Sequence, residues 1–213
     1  MCGGRAIDGI IAAAFPTPRG GFLPRLNRGG RRWAISPQGV ASGPVRILGL
    51  DPGSQATGFG VIDWIGGVPR YVASGAIRTS GESFPPRLRQ IFDGVVELMR
   101  RYKPSEVAVE RVFMHRNADS ALKLGQARGA ALCAAFGSDP AVFEYAPREI
   151  KLAVVGQGGA QKEQVKLMVM TLLKLDGELG ADAADAVGVA LCHAYSRQTQ
   201  HALAVATGRR PRA

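Results

Sequence analysis

The chain has 213 residues and a formal charge of +10, long enough for one full core and too short for two large domains. Hydrophobic residues make up 46% of it, yet no apolar run approaches the roughly 20 residues of a membrane span, which points to a soluble globular protein with no membrane partner. Cys2, Cys133 and Cys192 are odd in number, far apart and without CxxC or HxxxH spacing, which argues against a disulfide framework and a zinc site and fits a reducing compartment, the cytoplasm.

The charge is concentrated at the ends. Residues 1–44 hold six Arg and one acid, the tail adds Arg209, Arg210 and Arg212, and the centre keeps only +2. Basic termini suit a polyanion and are equally common as solvated tails. The first 44 residues are rich in Gly, Pro and Arg, lack a sustained period, and read as a disordered extension. Three accounts of it are open: a start site placed too far upstream, an Arg-rich organellar transit segment, or a secretory signal with a short apolar run.

From Val45 the order changes. Residues 45–50 form an apolar, β-branched run that reads as a central strand. It ends on Asp51, where Asp51-Pro52-Gly53 breaks it. Residues 58–63 read as a strand returning beside it, and residues 70–78 as a third. Pro85 and Pro86 suit a helix start. Leu88, Ile91, Phe92, Val95, Val96, Met99 and Tyr102 then recur at helical steps, predicting an amphipathic helix that Lys103-Pro104 stops. Glu106–Glu110 (EVAVE) is a short strand. Residues 117–136 are helical and alanine-rich, with Gly125 and Gly129 four apart, a spacing that permits close approach of another backbone. Cys133 in this helix and Cys192 further on read as buried core residues. Ala141–Tyr145 is a fifth strand, residues 147–151 a short helix, 156–159 a glycine-rich loop, and 161–175 and 181–197 two more helices. Strands followed by alternating helix and strand predict a single α/β layer domain.

Four acids stand out by position. Asp51 ends the central strand and Glu110 ends another that would lie near it. Asp182 and Asp185, three apart in ADAADAVGVAL, share one face of a closely packed helix. Each has an ordinary reading as a turn former, a surface charge or a helix-dipole partner. If the four converge, their mutual repulsion calls for a cation. An all-oxygen set suits Mg²⁺ or Mn²⁺, and a pair of such ions about 3.5–4 Å apart is a general device for phosphodiester hydrolysis.

Beyond the acids, DPGSQATGFGVID, VERVFMHRNADSALKLGQARG, VFEYAPREIK, VVGQGGAQKEQV and ADAADAV, in that order over residues 45–197, resemble the RuvC family of bacterial Holliday-junction resolvases, in the ribonuclease H-like superfamily. The resemblance implies an α/β ribonuclease H-like fold, a five-stranded mixed sheet flanked by helices over residues 45–200, with a basic flexible tail at 201–213. It implies Asp51, Glu110, Asp182 and Asp185 as catalytic, metal-binding acids for two Mg²⁺ ions, with Mn²⁺ as a substitute. It places Lys151 and Lys162 against backbone phosphates, Phe113 against a base at the junction centre, and His115 and Arg116 on backbone. His193, in an apolar helix, reads as core.

The implied activity is paired, symmetric nicking of four-way junction DNA in recombination and repair. Two cuts from one acidic cluster per chain imply a C2 homodimer, with residues 117–136 a candidate interface. RuvA and RuvB are implied partners, and the nucleoid-associated cytoplasm the implied location. Two further readings stand beside it. An actin-like ATPase or sugar kinase shares the first hairpin, but needs about twice the length. An RNA-processing nuclease of the same superfamily shares the acids.

Overall fold

The computed structural model describes the backbone of residues 11–14, together with residues 44–111 and 117–208. In chain order the elements are β1 (Ile11–Ala14), β2 (Val45–Asp51), β3 (Ala56–Ile65), β4 (Val68–Arg78), α1 (Phe84–Tyr102), β5 (Glu106–Glu110), α2 (Ala118–Phe136), β6 (Ala141–Tyr145), α3 (Pro147–Val155), α4 (Lys162–Leu173) and α5 (Ala181–Ala206). The strands form one mixed sheet ordered β1-β4-β3-β2-β5-β6. β2 pairs antiparallel with β3 and parallel with β5, and β6 continues the parallel half.

Alternation along β2 decides which helices cover which face. Leu48 and Leu50 point into a core built with Phe59, Val61, Val107 and Val109 against α1 and α2. Ile47 points the other way, into a second core with Ile62, Trp64 and the buried face of α5, backed by α3 and α4. Asp51 and Gly49 share the parity of Ile47, so both belong to the α5 side. The same holds in β5 for Glu106, Ala108 and Glu110.

On the α5 side the sheet has a trough of glycines. A Cβ on Gly49 would lie 2.2 Å from the Ala186 carbonyl oxygen, one on Gly58 2.1 Å from the Asp182 carbonyl oxygen, and one on Gly60 2.7 Å from Val187 Cα. The helix backbone therefore rests directly on the strands, and no other residue fits beneath it. The small side chains of ADAADAVGVAL are the matching half of this contact.

The structure departs from the expectations in five places. The extension read as disordered contributes β1, which pairs antiparallel with β4 from Ile11↔Ile77 to Ala14↔Ser74; the short apolar run completes a ladder edge, so the sheet has six strands and not five. The last helix continues to Ala206, into the segment read as a flexible tail, because no Gly or Pro interrupts the chain before Gly208. The short helix after Pro147 likewise runs on to Val155, until Gly156 adopts φ 80°. Phe92 and Val96, predicted to face the core, are 37% and 41% exposed, and the burial stripe of α1 is Ile91, Val95, Leu98 and Met99. Cys133 is exposed while Cys192 is buried, since α2 buries the alanines at 127, 131, 134 and 135 on the opposite face.

Candidate functional site

The four acids meet where β2 and β5 end beneath the first turns of α5. The parallel register runs from Ile47↔Glu106 to Leu50↔Val109, so one step further sets Asp51 beside Glu110. The resting of α5 on Gly49 and Gly58 brings Asp182 and Asp185 over the same strand ends. Burial pushes the Asp51 carboxyl up to about 8, helped by the charges of Glu110, Asp185 and Asp182 and opposed by Lys162. Burial and Asp185 likewise raise Glu110, while Lys162 and Lys151 oppose the rise. Like charges crowded in a low-dielectric place cannot all ionise unless a cation joins them.

The cations at hand are side chains. Lys162, the first residue of α4, donates from Nζ to Asp185 Oδ2 at 3.0 Å, and that bond raises the ammonium above its ordinary value. Gln161 N donates to Gln164 Oε1 at 2.7 Å, fixing the helix start from which Lys162 projects. Arg78, at the end of β4, has Nη2 at 3.8 Å from Asp182 Oδ2. Lys151 acts from α3 on the Glu110 side of the centre. Phe113, His115 and Arg116 lie outside the described residues.

Among the described residues no trio of His, Cys, Asp or Glu already stands at the spacing of an ion's ligand shell. The chemistry of the donor set nevertheless fits a hard divalent cation: every donor is a carboxylate oxygen, and burial with the neighbouring acids favours a proton on Asp51 that a cation could displace. This has a measurable sign. Asp51 titrates near 4 when unfolded and near 8 when folded, so the folded state binds the extra proton between those values. The corresponding stability is fully present below about pH 4 and is lost as pH rises through about 8. In EDTA, the melting temperature is expected to fall from mildly acidic to mildly alkaline pH. Excess Mg²⁺ should restore most of the loss at the alkaline end and little at the acidic end. Equal Mg²⁺ effects at both ends would contradict a metal taking the proton's place.

A second polar cluster anchors the same helix and strand. His193, 2% exposed, is hydrogen-bonded through Nε2 to Glu106 Oε2 at 2.7 Å and through Nδ1 to the Tyr145 hydroxyl at 2.8 Å. Arg197 Nε donates to Glu106 Oε1 at 3.1 Å. Burial pushes Glu106 up, but His193 and Arg197 outweigh it and leave the carboxyl below its usual range. His193 is thus a core residue, as read from the sequence, but a bonded one that ties α5 to β5. The sequence reading passed over Glu106. The signal was the even spacing of Glu106 and Glu110, which puts both on the α5 face. His193→Phe keeps the ring against Phe143 (centroids 4.3 Å apart) and removes both bonds. It should cost about 2–3 kcal/mol in urea unfolding, and a loss under about 0.5 kcal/mol would show the network to be unimportant.

The chain and its fold match known proteins. The family model "Crossover junction endodeoxyribonuclease RuvC" matches residues 47–193. The RuvC of Methylococcus capsulatus is 56% identical over 154 residues, covering 72% of this chain and 93% of that protein. The RuvC of Shewanella sediminis is 59% identical over 157 residues, covering 74% and 91%. Among solved structures, Thermus thermophilus RuvC in complex with Holliday junction substrate aligns with a TM-score of 0.66 at 33% identity, covering 74% of this chain and 97% of that one. Fold and family matches define a ribonuclease H-like nuclease, an enzyme that hydrolyses phosphodiester bonds. More narrowly, the chain belongs to the RuvC family of crossover junction endodeoxyribonucleases.

Proposed function

We propose that this protein resolves Holliday junctions in recombination and repair, as a homodimer that makes two symmetric Mg²⁺-dependent nicks. The observation that carries the reading is the convergence of four carboxylates at the ends of β2 and β5 and the start of α5, with Asp51 raised to about 8 by burial and by the charges of Glu110, Asp185 and Asp182. Asp51, Glu110, Asp182 and Asp185 would hold two Mg²⁺ ions, for which Mn²⁺ can substitute, and the metal supplies an activated water and charge stabilisation at the cleaved phosphate. The chain's own part is positioning. Asp51 and Glu110 are held by strands that cannot shift without breaking the sheet, and Asp182 and Asp185 by a helix seated on glycine. Lys162, whose ammonium already reaches into the centre, is placed to meet a backbone phosphate drawn there, and Lys151 to meet a neighbouring one. Phe113 is assigned by resemblance to stack on a base, and Arg116 to contact backbone.

One feature of α2 supports the dimer. A Cβ on Gly125 or Gly129 would meet nothing within 4 Å, so no element among the described residues uses the close approach that this spacing permits. Leu122 and Phe136 on the same helix are 63% and 57% exposed. A second copy of α2 would use both features and pair two centres across a two-fold axis. Branch-migration proteins of the RuvA and RuvB kind are the proposed partners and the nucleoid-associated cytoplasm the proposed location; no described helix is long and apolar enough to cross a membrane. The domain boundaries proposed are a nuclease unit at 45–200 with extensions on either side.

The test is nicking of a labelled immobile four-way junction in Mg²⁺ beside linear duplex, flap and RNA–DNA hybrid of matched sequence. Cutting confined to the junction supports the reading. Cutting of the hybrid instead would assign the same centre to RNA processing.

A further inference from the structure

We propose that Arg78 and Arg87 form a second backbone-phosphate site, which holds the phosphate next to the one at the carboxylate centre, on the side away from Lys151. The proposal rests on the junction-nuclease reading and adds a substrate contact to it. A groove of about 820 Å³ opens beside the centre and shares Asp182 with it. Arg78 and Arg87 stand on its walls, and Leu124 of α2 gives it one apolar side suited to a deoxyribose.

The groove is built on a fixed turn. Thr79 Oγ1 donates to the carbonyls of Ser54 and Gln55, each at 3.1 Å, and Thr79 N donates to the Gln55 carbonyl at 2.9 Å. These bonds stitch the end of β4 to the loop that follows Asp51, so Arg78 is fixed relative to the acids. Arg87 is anchored from Nε and Nη2 to the Gly81 carbonyl at 2.9 and 2.5 Å. A guanidinium has five N–H donors, and this anchor uses two. Arg78 is 66% exposed and its Nη2 stands 3.8 Å from Asp182, beyond hydrogen-bond length. Both arginines therefore keep donors for a ligand, in the planar fork that matches a phosphate.

Strand order sets the geometry of the ligand. Arg78 lies on β4, to one side of β2, whereas Glu110 ends β5 on the other side and Lys151 lies on α3, the helix that follows β6 beyond it. Cations thus flank Asp51 in both directions across the sheet. A single anion would meet only one flank. A nucleic-acid strand crossing the centre carries one charge per nucleotide and meets both.

The experiment measures junction affinity in EDTA over a range of salt, for the full chain and for Arg78→Gln/Arg87→Gln. The double variant should bind about tenfold more weakly, regardless of sequence, with a salt slope smaller by about 1. A junction with a neutral methylphosphonate beside the cut position should be bound more weakly by the wild type. It should be bound no more weakly than the unmodified junction by the variant. Equal salt slopes, or equal methylphosphonate losses in both proteins, would overturn the proposal. Arg78→Gln alone, at an exposed side chain, gives the same comparison should the double variant melt early. Failure of the wild type to prefer junctions would instead count against the junction reading. The Arg pair would then be judged by the same neutralisation on whichever DNA the wild type binds.

Discussion

Asp51→Asn is expected to reduce junction nicking on the order of a thousandfold, to leave junction binding in EDTA unchanged, and to raise the stability of the metal-free protein above pH 7. The three effects have one cause. Asp51 ends a central strand and is pushed to about 8 by burial and by Glu110, Asp185 and Asp182. Asn keeps the shape, carries no charge to neutralise, and offers a poorer oxygen to a hard cation. The stabilising arm is the diagnostic one, because a merely structural carboxylate would be missed when removed. The fall in melting temperature with rising pH should also flatten in Asp51→Asn. A variant less stable than wild type in EDTA at mildly alkaline pH would contradict the picture of a carboxylate held under strain for a cation. Retained nicking would remove Asp51 from the centre altogether.

Gly58→Ala is the second large effect. The added Cβ would lie 2.1 Å from the Asp182 carbonyl oxygen and 2.8 Å from its carbonyl carbon. Both are helix backbone, so no side-chain rotation relieves the clash and the first turn of α5 must lift. Overpacking of this kind costs about 1–3 kcal/mol or more. The lifted turn is the one that carries Asp182 and Asp185, and a misplacement of about 1 Å can cost on the order of a hundredfold in rate. Loss of nicking should therefore exceed what the fall in folded fraction explains, measured below the melting transition with junction binding intact. Activity in proportion to folded fraction would show that the trough serves stability alone. Gly49→Ala, 2.2 Å from the Ala186 carbonyl oxygen, lies one turn further along and should destabilise while disturbing the acids less.

The acids were legible in the sequence because each marks a change of local structure. Asp51 stands at a strand-to-turn break, Glu110 closes a five-residue strand, and Asp182 and Asp185 begin a helix of small residues. Period-two alternation also put Glu106 and Glu110 on one face, although only the packing shows what Glu106 meets there. What remained hidden depends on pairs far apart in the chain. That Gly49, Gly58 and Gly60 form a seat is visible only once α5 is known to lie on them, since an isolated glycine in a strand reads equally as a bulge. The Glu106–His193 bond spans 87 residues and the Arg78–Asp182 approach 104, and neither has a local signature. Ile11–Ala14 was missed because four apolar residues in a segment rich in Gly, Pro and Arg are too few to show a period. Cys133 was placed inside because the last two turns of α2, residues 129–136, are apolar all round, which leaves the buried face there undetermined by pattern.

The measurement closest to the central claim is a time course on a supercoiled plasmid that extrudes a cruciform, incubated with the full chain in Mg²⁺. Two symmetric cuts made within one encounter convert the plasmid directly to linear DNA with ligatable ends, and this is the predicted result. Persistent open circles, or linear DNA from a plasmid without the cruciform, would contradict paired resolution of a four-way junction.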